Sequence, residues 1–140
     1  MFKILSHTAD IALDVRAANL ESLFTEASRG WKEMVFEDSE TRPAKTRSVR
    51  LASPEAEDLL VQWLSELNYF LTVRQWVFHQ TEQFSLHGAA GEWTLDARIS
   101  GERLDPQRHY IYFDIKAVTY HQLKIEQTGG EFRVQIVFDI

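Results

Sequence analysis

DIKAVTYHQLKIEQTGGEFRVQIVFDI, residues Asp114 to Ile140, decides how the chain is read. Two alternating runs flank Gly129-Gly130, and a Gly-Gly pair supplies the positive φ angles that a two-residue hairpin turn of the primed type demands. A two-residue loop predicts the register. Thr128 faces Glu131, Glu126 faces Arg133, Leu123 faces Ile136, His121 faces Phe138 and Tyr120 faces Asp139. Because side chains alternate across a strand, Leu123, Ile125, Phe132, Val134, Ile136 and Phe138 share a core face, while Lys124, Glu126, Arg133, Gln135 and Asp139 share a wet one. Glu126 opposite Arg133 adds a small favourable cross-strand pair. At the end of the run, the Asp139 side chain lies beside the terminal α-carboxylate of Ile140. Two anionic groups at one strand end call for a cation, an Arg or a Lys.

Working outward, Trp93, Leu95, Ala97 and Ile99 alternate with polar residues after a Gly88–Gly91 turn, and Val77-Phe78 and Phe84–Leu86 are strand candidates bracketing a short polar turn. Thr46 to Ala52 is a third strand region. Ser53-Pro54-Glu55 then reads as cap, first-turn proline and early acid of a helix whose buried stripe is Leu60, Trp63, Leu64, Leu67 and Leu71. An earlier helix begins at Leu20 behind the cap residue Asn19 and buries Leu20, Leu23, Phe24, Ala27, Trp31, Met34 and Val35. Its Gly30 costs about 1 kcal/mol relative to alanine, which predicts close packing there. Phe2–Leu5 and the alternating Ile11, Leu13 and Val15 are strands. Strands joined by short turns, with two early helices, predict a single α+β domain over 1–140: two helices packed on mostly antiparallel sheet.

The composition limits the function classes. The 140 residues suffice for one core, and the absence of cysteine excludes disulfides, thiolate zinc sites and a thiol nucleophile. No run has the length to cross a bilayer and MFKILSHTADIALDV is too polar for a signal sequence, so a soluble, cytoplasmic protein without membrane contact is expected. A net charge of −6 argues against a general nucleic-acid coat, although Arg42, Lys45, Arg47 and Arg50 form a local basic patch. No phosphate-binding glycine loop, nucleophile elbow or zinc-protease helix is present. His79, His87 and His109 read as surface or hydrogen-bonded histidines. Taken alone, His121 reads as a core histidine or a support for a nearby carboxylate, Lys116 as solvated, and Asp10, beside His7 and Thr8, as a turn residue.

Four segments carry a resemblance: HTADIAL at 7–13, DLLVQWLSEL at 58–67, IKAVTYHQL at 115–123 and the terminal VFDI. In order and separation they are similar to the archease family, across essentially the whole chain. Archeases are accessory proteins of RtcB-type RNA ligases, which join the halves of spliced tRNA and repair RNA ends. The resemblance implies an archease-like fold and a protein that promotes guanylylation of the ligase, permits multiple turnover and broadens nucleotide use. The ligase makes the bonds, so no independent turnover is expected and RNA contact runs through the ligase. The resemblance also implies a divalent cation bound by Asp10, Asp139 and an oxygen of Ile140, with Lys116 needed for activation. An all-oxygen, anionic donor set suits Ca²⁺ first, with Mg²⁺ or Mn²⁺ as alternatives. His121 and His7 are candidates to support the carboxylates. Asp114, where the family more often has glutamate, and Glu66 are left outside this set. The alternative is a small metal-dependent phosphoesterase or nucleotide hydrolase using the same acidic site; a third is an RNA-binding module using Arg42 to Arg50.

Overall fold

The computed structural model describes residues 1–6 and 9–140. The elements run β1 (Phe2–Ser6), β2 (Asp10–Ala17), α1 (Leu20–Phe36), β3 (Lys45–Ser53), α2 (Ala56–Thr72), β4 (Trp76–Ala89), β5 (Glu92–Arg103), β6 (Ala117–Val118), β7 (Glu126–Thr128) and β8 (Glu131–Asp139). They form two antiparallel sheets, one ordered β1-β2-β8-β6 with β7 also on β8, the other β3-β5-β4. α1 touches both sheets, while α2 packs on the second, on α1 and on β6 of the first. The two helices and both inner sheet faces therefore share one core, in which Trp31, Trp63, Phe24, Phe36, Phe78 and Phe138 are fully buried.

Local chemistry explains the joins. The Asn19 side chain caps α1 by accepting from the Ser22 N–H at 2.8 Å. Gly30 is a close approach as expected: a Cβ there would stand 2.7 Å from the Leu13 methyls. The stripe expected for α2 is buried throughout, and Trp63 Nε1 donates to the Phe24 carbonyl at 3.1 Å to join the helices. The start of α2 differs from expectation. Ser53 ends β3, Glu55 is the cap position, and the Ser53 hydroxyl accepts from the Glu55 N–H while donating to Asp58 at 2.6 Å. Serine still organises the entry, from two positions before the cap.

Two further corrections concern strands. The polar stretch 79–83 is no turn. β4 runs unbroken through it and absorbs it as register shifts between Phe78 and Gln80 and between Thr81 and Gln83, because bulges accommodate extra polar residues without ending a ladder. In the last hairpin the turn is as expected, with Gly129 at φ 60° and Gly130 at φ 81°, and Thr128–Glu131 and Glu126–Arg133 are paired. Above Glu126, however, the register slips by three. Val118 faces Phe138 and Ala117 faces Asp139, so the pairings predicted for Leu123, His121 and Tyr120 are not formed. Thr119 still donates its N–H to the Val137 carbonyl at 3.0 Å, and residues 120–125 then leave the ladder through a turn in which Leu123 N–H donates to the Tyr120 carbonyl and Gln122 takes φ 50°. His121 is consequently exposed, not in the core. Arg133 also pairs differently: its guanidinium meets both Asp14 oxygens, at 3.1 and 3.0 Å, on the neighbouring strand.

Candidate functional site

Asp10 opens β2 and Asp139 closes β8, and the two are direct cross-strand partners. Opposite residues of an antiparallel pair share a face with Cβ atoms about 5 Å apart. Ala117 flanks Asp139 on its other side. Asp10 is half-buried and Asp139 exposed. Among the described residues neither carboxylate accepts a hydrogen bond or an ion pair. Two like charges facing each other are unfavourable until a cation joins them.

The three-residue slip brings Lys116 here. Its N–H donates to the Asp139 carbonyl at 2.8 Å, whereas the straight ladder would have put Tyr120 opposite Asp139. The lysine side chain is exposed and has no ion pair among the described residues. α2 fixes this segment from behind. Asn68 Nδ2 donates to the Ile115 carbonyl at 2.9 Å, the Ile125 N–H donates to Glu57 Oε2 at 3.1 Å, and the Tyr120 hydroxyl donates to Asp58. Asp58 also accepts from Ser53 and, at 2.8 Å, from Gln62. These donors hold its carboxyl below the usual range, Ser53 most strongly, and the hydrogen bond to Asp58 raises the Tyr120 phenol. Asp58, Asn68 and Tyr120 were not singled out as site residues in the sequence, although all but Asn68 lie in the resembling segments.

The donors present fit a hard divalent cation: two carboxylates on one sheet face, the Ile140 main chain beside them, and no sulfur or imidazole among the described residues at that strand end. Three or more acidic or histidine side chains do not converge anywhere among the described residues, which supply a carboxylate pair at this strand end. His7 lies outside the described residues. His121 lines a groove with Lys124, Glu126 and Arg133 instead of entering the core. Asp114 is exposed and Glu66 half-buried.

A second group of charges is organised in the opposite way. Glu102 is 6% exposed and His109 5%. Glu102 accepts two bonds from the Arg108 guanidinium, one from the Arg42 N–H at 2.6 Å and one from His109 Nε2 at 3.1 Å. Because His109 Nδ1 accepts from the Asp105 N–H, the ring hydrogen is on Nε2 and points at Glu102. Arg108 above all, against the opposing effect of burial, lowers Glu102 to about 2. His109 is thus the hydrogen-bonded histidine expected.

The sequence matches the model of the Archease protein family over residues 2–140. It is 36% identical over 139 residues to protein archease of Methanosarcina mazei, covering 99% of this chain and 95% of that one. The solution structure of Methanobacterium thermoautotrophicum protein 1598 superposes with a TM-score of 0.84 at 24% identity, covering 99% of this chain and 98% of the other. The crystal structure of a Thermotoga maritima archease, described as a possible chaperone, has a TM-score of 0.52 at 23% identity, with coverage of 100% and 98%. Two helices packed on antiparallel sheets are the architecture these structures share with it, and the chain belongs to the archease family.

Proposed function

We propose that this chain activates an RtcB-type RNA ligase in tRNA splicing or RNA repair, promoting guanylylation of the ligase. The observation that carries this is the meeting of three segments at one sheet end: Asp10 opposite Asp139, with Lys116 hydrogen-bonded to Asp139. Asp10, Asp139 and an oxygen of Ile140 would hold a divalent cation, Ca²⁺ before Mg²⁺ or Mn²⁺. Held there, a cation would offer Lewis-acid contact to oxygen-rich groups of the ligase–nucleotide complex. Lys116 presents an ammonium from the same strand end to the triphosphate, and Asn68, Asp58 and Glu57 act as positioning residues for its segment. The bond-making groups belong to the ligase.

The test is covalent labelling of the cognate ligase by radioactive GTP, with and without this protein. Stimulation by the wild type, lost in folded Asp10→Ala, Asp139→Ala and Lys116→Ala, is the expected result. Stimulation unchanged in those variants would overturn it. Phosphate release from GTP by the chain alone, abolished by Asp139→Ala, would instead identify a phosphoesterase.

A further inference from the structure

The second sheet ends in a cleft of about 710 Å³ lined by Lys45, Arg47, Arg74, Arg103 and Arg108. This concentration of cations occurs in a chain of net charge −6. The register explains it. Lys45 pairs with Gly101, Arg47 with Ile99, and Trp76 with Arg103, so all lie on the face that carries Val49, Leu95 and Ala97 into the core farther along. Where α2 ends, core-facing positions turn basic.

Among the described residues only two carboxylates, Glu102 and Asp105, line the cleft, and Arg108 takes both, Glu102 at 2.7 Å and Asp105 at 3.9 Å. Lys45, Arg47, Arg74 and Arg103 have no ion pair among the described residues. The negative end of the α2 dipole accounts for Arg74, which follows it. It does not account for the other three. Arg47 is also pre-oriented: its guanidinium lies 5.2 Å from the Phe70 ring centre and 5.1 Å from that of Trp76. Gly101 lets the indole lie against the strand, since a Cβ there would stand 2.6 Å from the Trp76 ring. A guanidinium stacked this way keeps its N–H edge available for paired acceptor oxygens. Of the patch read from the sequence, Lys45 and Arg47 line this cleft and the other two cations do not. Arg42 is bound by Glu40 at 2.9 Å and Arg50 by Asp96 at 2.7 Å, which removes both from the free set.

We propose that this cleft binds closely spaced phosphates, as presented by a single-stranded nucleic-acid backbone or by a free polyphosphate chain. Arginine-rich surroundings favour phosphate over a single carboxylate. Phe70 and Trp76 are 8% and 3% exposed, so they orient Arg47 and offer no surface for stacking bases, which makes binding indifferent to sequence. This site is separate from the acidic strand end and does not rest on the activator role.

Fluorescence anisotropy of the full chain with a labelled oligouridylate RNA tests it. Four contacts predict a slope of about −3 in log K against log salt, roughly fiftyfold weaker binding between about 50 and 200 mM salt. Arg103→Glu and Lys45→Glu should each weaken binding by about fivefold or more. Arg50→Glu, outside the cleft, should change it less than twofold. Arg47→Lys keeps the charge but loses the planar fork and should still weaken binding. Displacement of the RNA by inorganic tripolyphosphate supports the shared chemistry. Tripolyphosphate binding without RNA binding, if lost in Arg103→Glu or Lys45→Glu, assigns the site to free polyphosphates. The proposal is overturned if neither probe binds, if Arg50→Glu weakens binding as much as both cleft variants, or if an oligoglutamate peptide displaces the RNA more effectively than tripolyphosphate.

Discussion

Glu102 and the Asp10–Asp139 pair are both carboxylate sites at sheet positions, and they differ in what surrounds them. Glu102 is buried and met by Arg108, His109 and the Arg42 N–H. Asp10 and Asp139 face one another across a ladder with no such partner among the described residues. A folded chain retains a buried charge when its partners are internal, because an unpaired one costs several kcal/mol. Carboxylates left facing each other at an accessible strand end repel modestly, and a bound cation would relieve that repulsion. The first arrangement serves stability, and the second is the one proposed above to hold a cation.

The largest effect should come from breaking the satisfied site. Glu102→Ala strands the Arg108 charge and the His109 N–H, and should cost about 3–5 kcal/mol in urea unfolding. The same site predicts acid sensitivity. Glu102 is lowered from 4.5 to about 2 in the folded chain, so its contribution is complete above pH 4.5 and is lost as the pH falls toward 2. That loss is worth about 3 kcal/mol, and Glu102→Gln should flatten this part of the stability–pH curve. Removing the Tyr120 hydroxyl, as in Tyr120→Phe, deletes one hydrogen bond to Asp58 and should cost about 1 kcal/mol. A ligase-labelling assay on that variant would show whether the 120–125 excursion has to be held in place for Lys116 to act. The smallest effect has the opposite sign. In cation-free buffer Asp139→Asn relieves like-charge repulsion and should stabilise the chain by a few tenths to about 1 kcal/mol in a thermal melt. Added Ca²⁺ should then stabilise the wild type and not the variant.

The contrast also explains what the sequence could convey. Helical spacing from Leu20 and the stripe from Leu60 were legible because apolar periodicity reports burial directly. Gly129-Gly130 was legible because both residues require positive φ. The three-residue slip was not, since its pivot is Gln122 in a stretch without glycine or proline, and the alternation of the IKAVTYHQL segment continues across it. The slip moved His121 out to solvent and brought Lys116 to Asp139. No residue of the segment requires such a slip, so Lys116 taken alone read as solvated. The pairing of Asp10 with Asp139 depends on β2 lying beside β8, a contact between residues more than a hundred positions apart that no local pattern encodes. In the same way, the basic run from Arg42 to Arg50 was visible, but which of its cations were free depended on Glu40 and Asp96.

The most direct measurement is calorimetric titration of Ca²⁺ into the full chain, repeated with Asp10→Asn and Asp139→Asn. If the unpartnered carboxylates exist to hold a cation, the wild type binds one equivalent and each variant loses that binding while remaining folded. No binding by the wild type, or binding retained in both variants, would contradict the assignment of the acidic strand end as a metal site.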